Sequence, residues 1–92
     1  MVRLDGLPGS DLVRRGLADL DAHVESIESL LVSIGADRLR RAGLTVPTAI
    51  LSPEHALYEA LRREGPEAAH SRYNALIRRL VSFERALECE MS

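Results

Sequence analysis

Apolar residues recur along this chain at an unbroken alternation of three and four positions in two places. The first run is Val13, Leu17, Leu20, Val24, Ile27, Leu31 and Ile34; the second is Ala69, Tyr73, Leu76, Leu80, Phe83 and Leu87. Read as heptads, each run is an a/d stripe on one long helix, the seam that seats knobs into holes on a neighbouring helix. Between them, Ser52 followed by Pro53 marks a helix start, since the hydroxyl can cap an early amide and proline lacks the N–H that would be orphaned there. That shorter helix presents Leu57, Tyr58 and Leu61 and stops at Gly65. The pattern predicts an all-α chain: a three-helix, long-short-long bundle with coiled-coil-like seams.

Punctuation residues set the expected boundaries. Residues 1–9 hold Gly6, Pro8 and Gly9 without periodicity and read as a flexible lead-in; residues 10–90 read as a single helical domain. Ser10 or Asp11 is expected to cap helix one, which runs to about Ile34 and closes on a left-handed Gly35. Inside it, Gly16 implies either tolerance of a poor helix former or close approach by a neighbour. Asp37 to Arg41 is either a short turn that Gly43 terminates or the tail of helix one. From Leu44 to Leu51 the chain is β-branched and contains Pro47, so it is expected to cross the bundle as an extended strap. Pro66 then opens helix three, which reaches roughly Glu90.

Flanking charges give one register for the long helices. If they pair antiparallel with their ends aligned, Arg14 falls beside Glu84 and Glu28 beside His70. A short helix of about three turns cannot cover two stripes of six or seven turns each. Leu30, Ile77 and Val81 widen those stripes further. A second copy is the simplest cover, so a homodimer is expected, with another protein as a further candidate partner.

Composition narrows the class. With 92 residues the chain is one small domain, and 46% hydrophobic against 28% charged residues excludes disorder. Two Tyr and one Phe leave an aliphatic core, which suits helices better than sheets. A net charge of −2 argues against nucleic acid as the partner, because neutralising phosphates needs a basic excess. All twelve basic residues are arginine. The single Cys89 cannot form an internal disulfide, and its flanking Glu88 and Glu90 disfavour a thiolate, so no catalytic cysteine is expected. No secretory or membrane-spanning run is evident, which makes the cytoplasm the expected location.

The richest polar cluster opens helix three. His70, Tyr73 and Asn74 share a face at i, i+3 and i+4, with Arg72 beside them and His55 of the short helix in reach, an arrangement suited to binding an anion or moving a proton. The alternative is that Tyr73 is a seam residue whose neighbours flank it in water. Glu67 and His70 form an E-x-x-H pair, but a helical metal site needs a second pair, and none exists; no metal or cofactor is expected. Arginine doublets occur at Arg14 and Arg15, Arg40 and Arg41, Arg62 and Arg63, and Arg78 and Arg79, with a local basic excess over residues 36–63.

In layout the chain resembles the all-helical chorismate mutases: about ninety residues, long, short and long helices, an early arginine, and a leucine-rich opening from Leu17 to Asp21. That resemblance implies an intertwined dimer in which Arg14, Arg38 and Arg62 clamp a dicarboxylate while it rearranges. The family's site also uses a lysine, which this chain lacks, and Gly35 and Gly43 interrupt the first helix. The sequence thus supports two functions: a non-catalytic helical interaction or regulatory module, and a small helical enzyme with an arginine-lined site.

Overall fold

The computed structural model describes residues 6–91, all of whose regular structure is helical. Five helices follow in order: α1 Ser10–Asp21, α2 Ile27–Ile34, α3 Ala36–Arg41, α4 Pro53–Glu64 and α5 Ala69–Met91. The radius of gyration is 12.8 Å, against about 12 Å for a compact chain of this length.

The first long helix expected over residues 10–34 is two helices, α1 and α2, and α3 follows as a separate short helix. α1 ends in a Schellman motif: His23 donates to the Leu20 carbonyl at 3.1 Å and Val24 to the Asp19 carbonyl at 2.7 Å, with His23 left-handed at φ 58°. Three residues later Ser26 starts α2 with a reciprocal cap. The Ser29 amide donates to Ser26 Oγ at 3.0 Å, the Ser26 amide donates to Ser29 Oγ at 2.7 Å, and Ser26 Oγ reaches back to Asp19 Oδ2 at 2.6 Å. The chain therefore turns, and α2 packs against α1. Gly16 marks where they meet: a Cβ there would lie 2.4 Å from the Glu28 carbonyl oxygen and 2.4 Å from Val32 Cγ2. Of the two readings of Gly16, close approach is the one realised.

Folding back makes α2 the centre of the molecule. Ser29, Leu30, Leu31, Val32 and Ser33 are all buried, and α2 packs on α1, α4 and α5. Apolar residues in succession, Leu30, Leu31 and Val32, are buried because neighbours pack on more than one side of the helix. Its two buried serines are satisfied: Ser33 Oγ donates to the Ser29 carbonyl at 2.8 Å and accepts from the Ile50 amide at 3.1 Å. That second bond ties down the strap expected over residues 44–51, which has no regular structure, buries Val46, and is held by Arg40 at the carbonyls of Val46 and Pro47.

Other boundaries are corrected by the same geometry. Gly35 joins α2 to α3 at φ −93°, not left-handed, and its lack of a side chain serves packing, since a Cβ would sit 2.6 Å from Glu84 Oε2 and 3.1 Å from Leu80 Cδ1. Gly43 does terminate α3, left-handed at φ 101°, with Leu44 donating to the Leu39 carbonyl. Gly9, not Ser10 or Asp11, caps α1, and Ser52 precedes α4 at φ 50° without a side-chain cap, because its left-handed backbone turns the strap into the helix. Residues 66–68 form a turn, so α5 opens at Ala69 and not at Pro66. Of the expected lead-in, residues 1–5 lie outside the described residues; Leu7 packs on the core, and Gly9 abuts the Arg79 carbonyl.

The seams are largely buried within one chain. Val13, Leu20, Leu31, Ala69, Leu80, Phe83 and Leu87 are core residues, and Leu17, Ile27, Ile34, Tyr73 and Leu76 pack against them. Val24 is 47% exposed because it sits in the turn. Folding helix one on itself thus covers most of both stripes within one chain. Likewise the antiparallel register is replaced: Glu84 faces Arg38, and Glu28 faces Arg15.

One substitution tests the turn directly. A left-handed backbone is disfavoured for a β-carbon-bearing residue, so His23→Gly is expected to stabilise the protein by about 0.5 to 1 kcal/mol, read as a raised melting temperature. A lower melting temperature would contradict the left-handed turn.

Candidate functional site

Three groups of polar and charged side chains are candidates for a site. The first is the cluster predicted at the start of α5, which the structure only partly assembles. Asn74 Nδ2 lies 3.3 Å from His70 Nε2, and Arg72 donates to Glu64 Oε1 at 2.9 Å. Tyr73 turns to the short helix and meets Tyr58 edge-on, ring centroids 5.8 Å apart. Burial, and then the nearby Glu54 carboxylate, raises the Tyr73 hydroxyl above its ordinary range, so it remains a neutral phenol. His55 is exposed on α4 and makes no hydrogen bond with this group.

The second group latches α3 to α5. Arg38 grips Glu88 with a two-point fork, Nε to Oε2 at 2.7 Å and an Nη to Oε1 at 2.9 Å, and extends its other Nη to Glu84 Oε1 at 3.4 Å. Glu84 is buried, pressed against Gly35. Its position therefore raises its carboxyl above the ordinary 4.5, chiefly through burial, with Arg38 opposing. Glu88 moves the other way because of the Arg38 hydrogen bond. A hollow of about 250 Å³ beside the latch is lined by Arg38, Arg41, Ala42 and Glu88.

The two carboxylates give opposite pH slopes. Glu84, raised in the fold, contributes stability below 4.5 that is lost as pH rises through its folded value; Glu88, lowered, contributes above 4.5 and loses it as pH falls through its own. Glu84→Gln is therefore expected to match or exceed the parent's melting temperature at pH 7, with the difference vanishing as pH falls toward 4.5. Destabilisation at pH 7 would show that the Arg38 pair outweighs desolvation.

The third group lines a cleft of about 350 Å³ where the α1–α2 hairpin meets α5. Leu12 of α1, Ile27 of α2, and Ala75 and Leu76 of α5 form an apolar floor; Arg72 and Arg79 of α5 and Glu28 of α2 stand around it. These α5 residues fall at i, i+3, i+4 and i+7, one face of a helix. Each charged group has an ion-pair partner outside the lining: Arg72 with Glu64, Arg79 with Asp11 at 3.5 Å, and Glu28 with Arg15 at 3.9 Å. Of the candidate ligand contacts read from the sequence, only Arg72 belongs here; Ile27, Glu28, Leu76 and Arg79 stand in the sequence as seam, flanking or doublet residues. The cleft was hidden because Leu12 and Ile27 become neighbours only when α2 turns back.

The three arginines suggested as dicarboxylate clamps stand on separate helices. Arg14 is exposed on α1, Arg38 is engaged with Glu84 and Glu88, and Arg62 pairs with Glu59 at 3.0 Å along α4. With α1 only 12 residues long, the long first helix on which the mutase-like layout rested is gone. Among the described residues, no group of three metal-binding side chains gathers, and no helix is long and apolar enough to cross a membrane. No family model, curated protein or solved structure matches the chain.

Proposed function

We propose that this chain is a small non-catalytic interaction module and that a partner docks in the cleft between the α1–α2 hairpin and α5. The observation that supports this reading is the cleft itself: an apolar floor from three helices, ringed by arginines and a glutamate. Association surfaces of moderate affinity combine an apolar centre with a polar rim in this way. The exposed Ala75 on the floor leaves space above α5 that a larger residue would fill.

The reading needs no second copy, because the seam residues already have cover. Light scattering across a dilution series is expected to return the mass of one chain. A stable dimer would mean that the cleft or another face is occupied by the chain itself.

Docking is tested by selecting displayed helical peptides on the folded protein and mapping the binders by methyl NMR. Binders are expected to shift Leu12, Ile27 and Leu76, and Ala75→Glu is expected to abolish binding with little change in melting temperature. Binders that shift other residues instead would overturn the assignment of the site.

A further inference from the structure

We infer that the cleft's partner is an amphipathic helix bearing carboxylates seven residues apart on either side of an aliphatic residue. This rests on the docking reading and adds the chemistry of the occupant. From residue 69 to residue 83, α5 carries Arg72, Arg78 and Arg79 and no carboxylate, so the wall of the cleft that it forms is basic. Arg72 and Arg79 both line the cleft. Seven residues span about two helical turns, or about 10.5 Å, so carboxylates at i and i+7 of a helix lying along α5 would meet both guanidinium groups. Between them Ala75 is small and exposed, and Leu76, Leu12 and Ile27 form the floor beneath. A partner's leucine midway between its two carboxylates would seat there.

The arginines are held ready without being consumed. Their present partners, Glu64 of α4 and Asp11 of α1, lie outside the lining, and these pairs have side chains 42 to 80% exposed. Exposed ion pairs contribute little, so a partner's carboxylates can replace them while Glu64 and Asp11 return to water. Glu28, the one acid in the lining, already faces Arg15. Two arginines against one glutamate leave the lining at +1, and seating a helix would desolvate the arginines and strengthen their attraction to carboxylates.

The test uses two synthetic peptides of about three heptads, identical in their leucines, one carrying Glu and the other Lys at flanking positions seven apart. By fluorescence anisotropy the Glu peptide is expected to bind at least about tenfold tighter at low salt, with the margin narrowing as salt rises. Arg72→Glu combined with Arg79→Glu should reverse the preference; Arg72→Gln with Arg79→Gln, a milder pair, should erase it. Equal binding of both peptides, with Leu76 still shifted in NMR spectra, would remove the acidic partner and leave the docking reading intact. Binding by neither peptide would overturn the acidic partner, while other selected peptides that still shifted the cleft methyls would preserve docking. A preference that survives both double variants, or a short DNA duplex binding tighter than the Glu peptide, would also overturn the inference.

Discussion

Replacing Gly16 by valine is expected to destabilise the protein by about 3 kcal/mol or more, visible as a large drop in melting temperature. Even a bare Cβ at this position would lie 2.4 Å from the Glu28 carbonyl oxygen and 2.9 Å from its carbon, which belong to the α2 backbone. Backbone cannot swing aside as a side chain can, so α1 and α2 must separate. Separation would open the buried face of Val13 and Leu20 and part the walls of the cleft. Gly16→Ala should show the same effect in smaller measure, although alanine is by itself the better helix former by about 1 kcal/mol. If either variant proved more stable than the parent, intrinsic propensity would be ruling that position and the two helices could not be in contact there.

Phe83→Ala is the other change of large expected size, about 3 to 5 kcal/mol. Phe83 is fully buried, and its Cβ lies 3.7 Å from where a Gly9 side chain would begin, so it joins α5 to the start of α1. It is the only phenylalanine, and both tyrosines are only partly buried. No neighbouring ring is available to collapse into the space. A domain of this length has about 5 to 14 kcal/mol of stability to lose, so denaturant titration should show a midpoint shifted by a large fraction of its value. A loss near 1 kcal/mol would mean that the core around α5 closes over the cavity. Changes on the cleft, such as Ala75→Glu, are expected to spare stability and remove binding, which separates the two roles of α5.

The sequence disclosed helical character well, and where it failed the failure has a local cause. The second stripe, Ala69 to Leu87, is one helix as its spacing required, and α4 runs from Pro53 to the residue before Gly65. Gly43 closes α3, and the strap crosses as expected. The first stripe misled because the three-four alternation continued through a turn. Val24 fits the period yet sits in solvent, and the turn's left-handed position holds a histidine where glycine would have announced it. Two signals pointed to the break: Ser26 and Ser29 at capping-box spacing, and Leu30, Leu31 and Val32 in succession, which no single helix face can bury.

The candidate site was legible only in part, for the same reason. Arg72 was visible as a charged residue flanking a seam. Its companions Leu12, Ile27 and Arg79 become one surface only through contact between segments far apart in sequence. The cluster of His70, Tyr73 and Asn74 looked richer because its members are sequence neighbours. In the fold, Tyr73 leaves that group for Tyr58.

The cleft and the docking proposed for it depend on α2 turning back upon α1, and NMR of the free protein tests that most directly. The expected result is a set of NOEs from the Gly16 α-protons to the Val32 methyls, with helical chemical shifts interrupted over residues 22–26. Unbroken helical shifts from residue 10 to residue 34, without those NOEs, would restore a single long helix and dissolve the cleft.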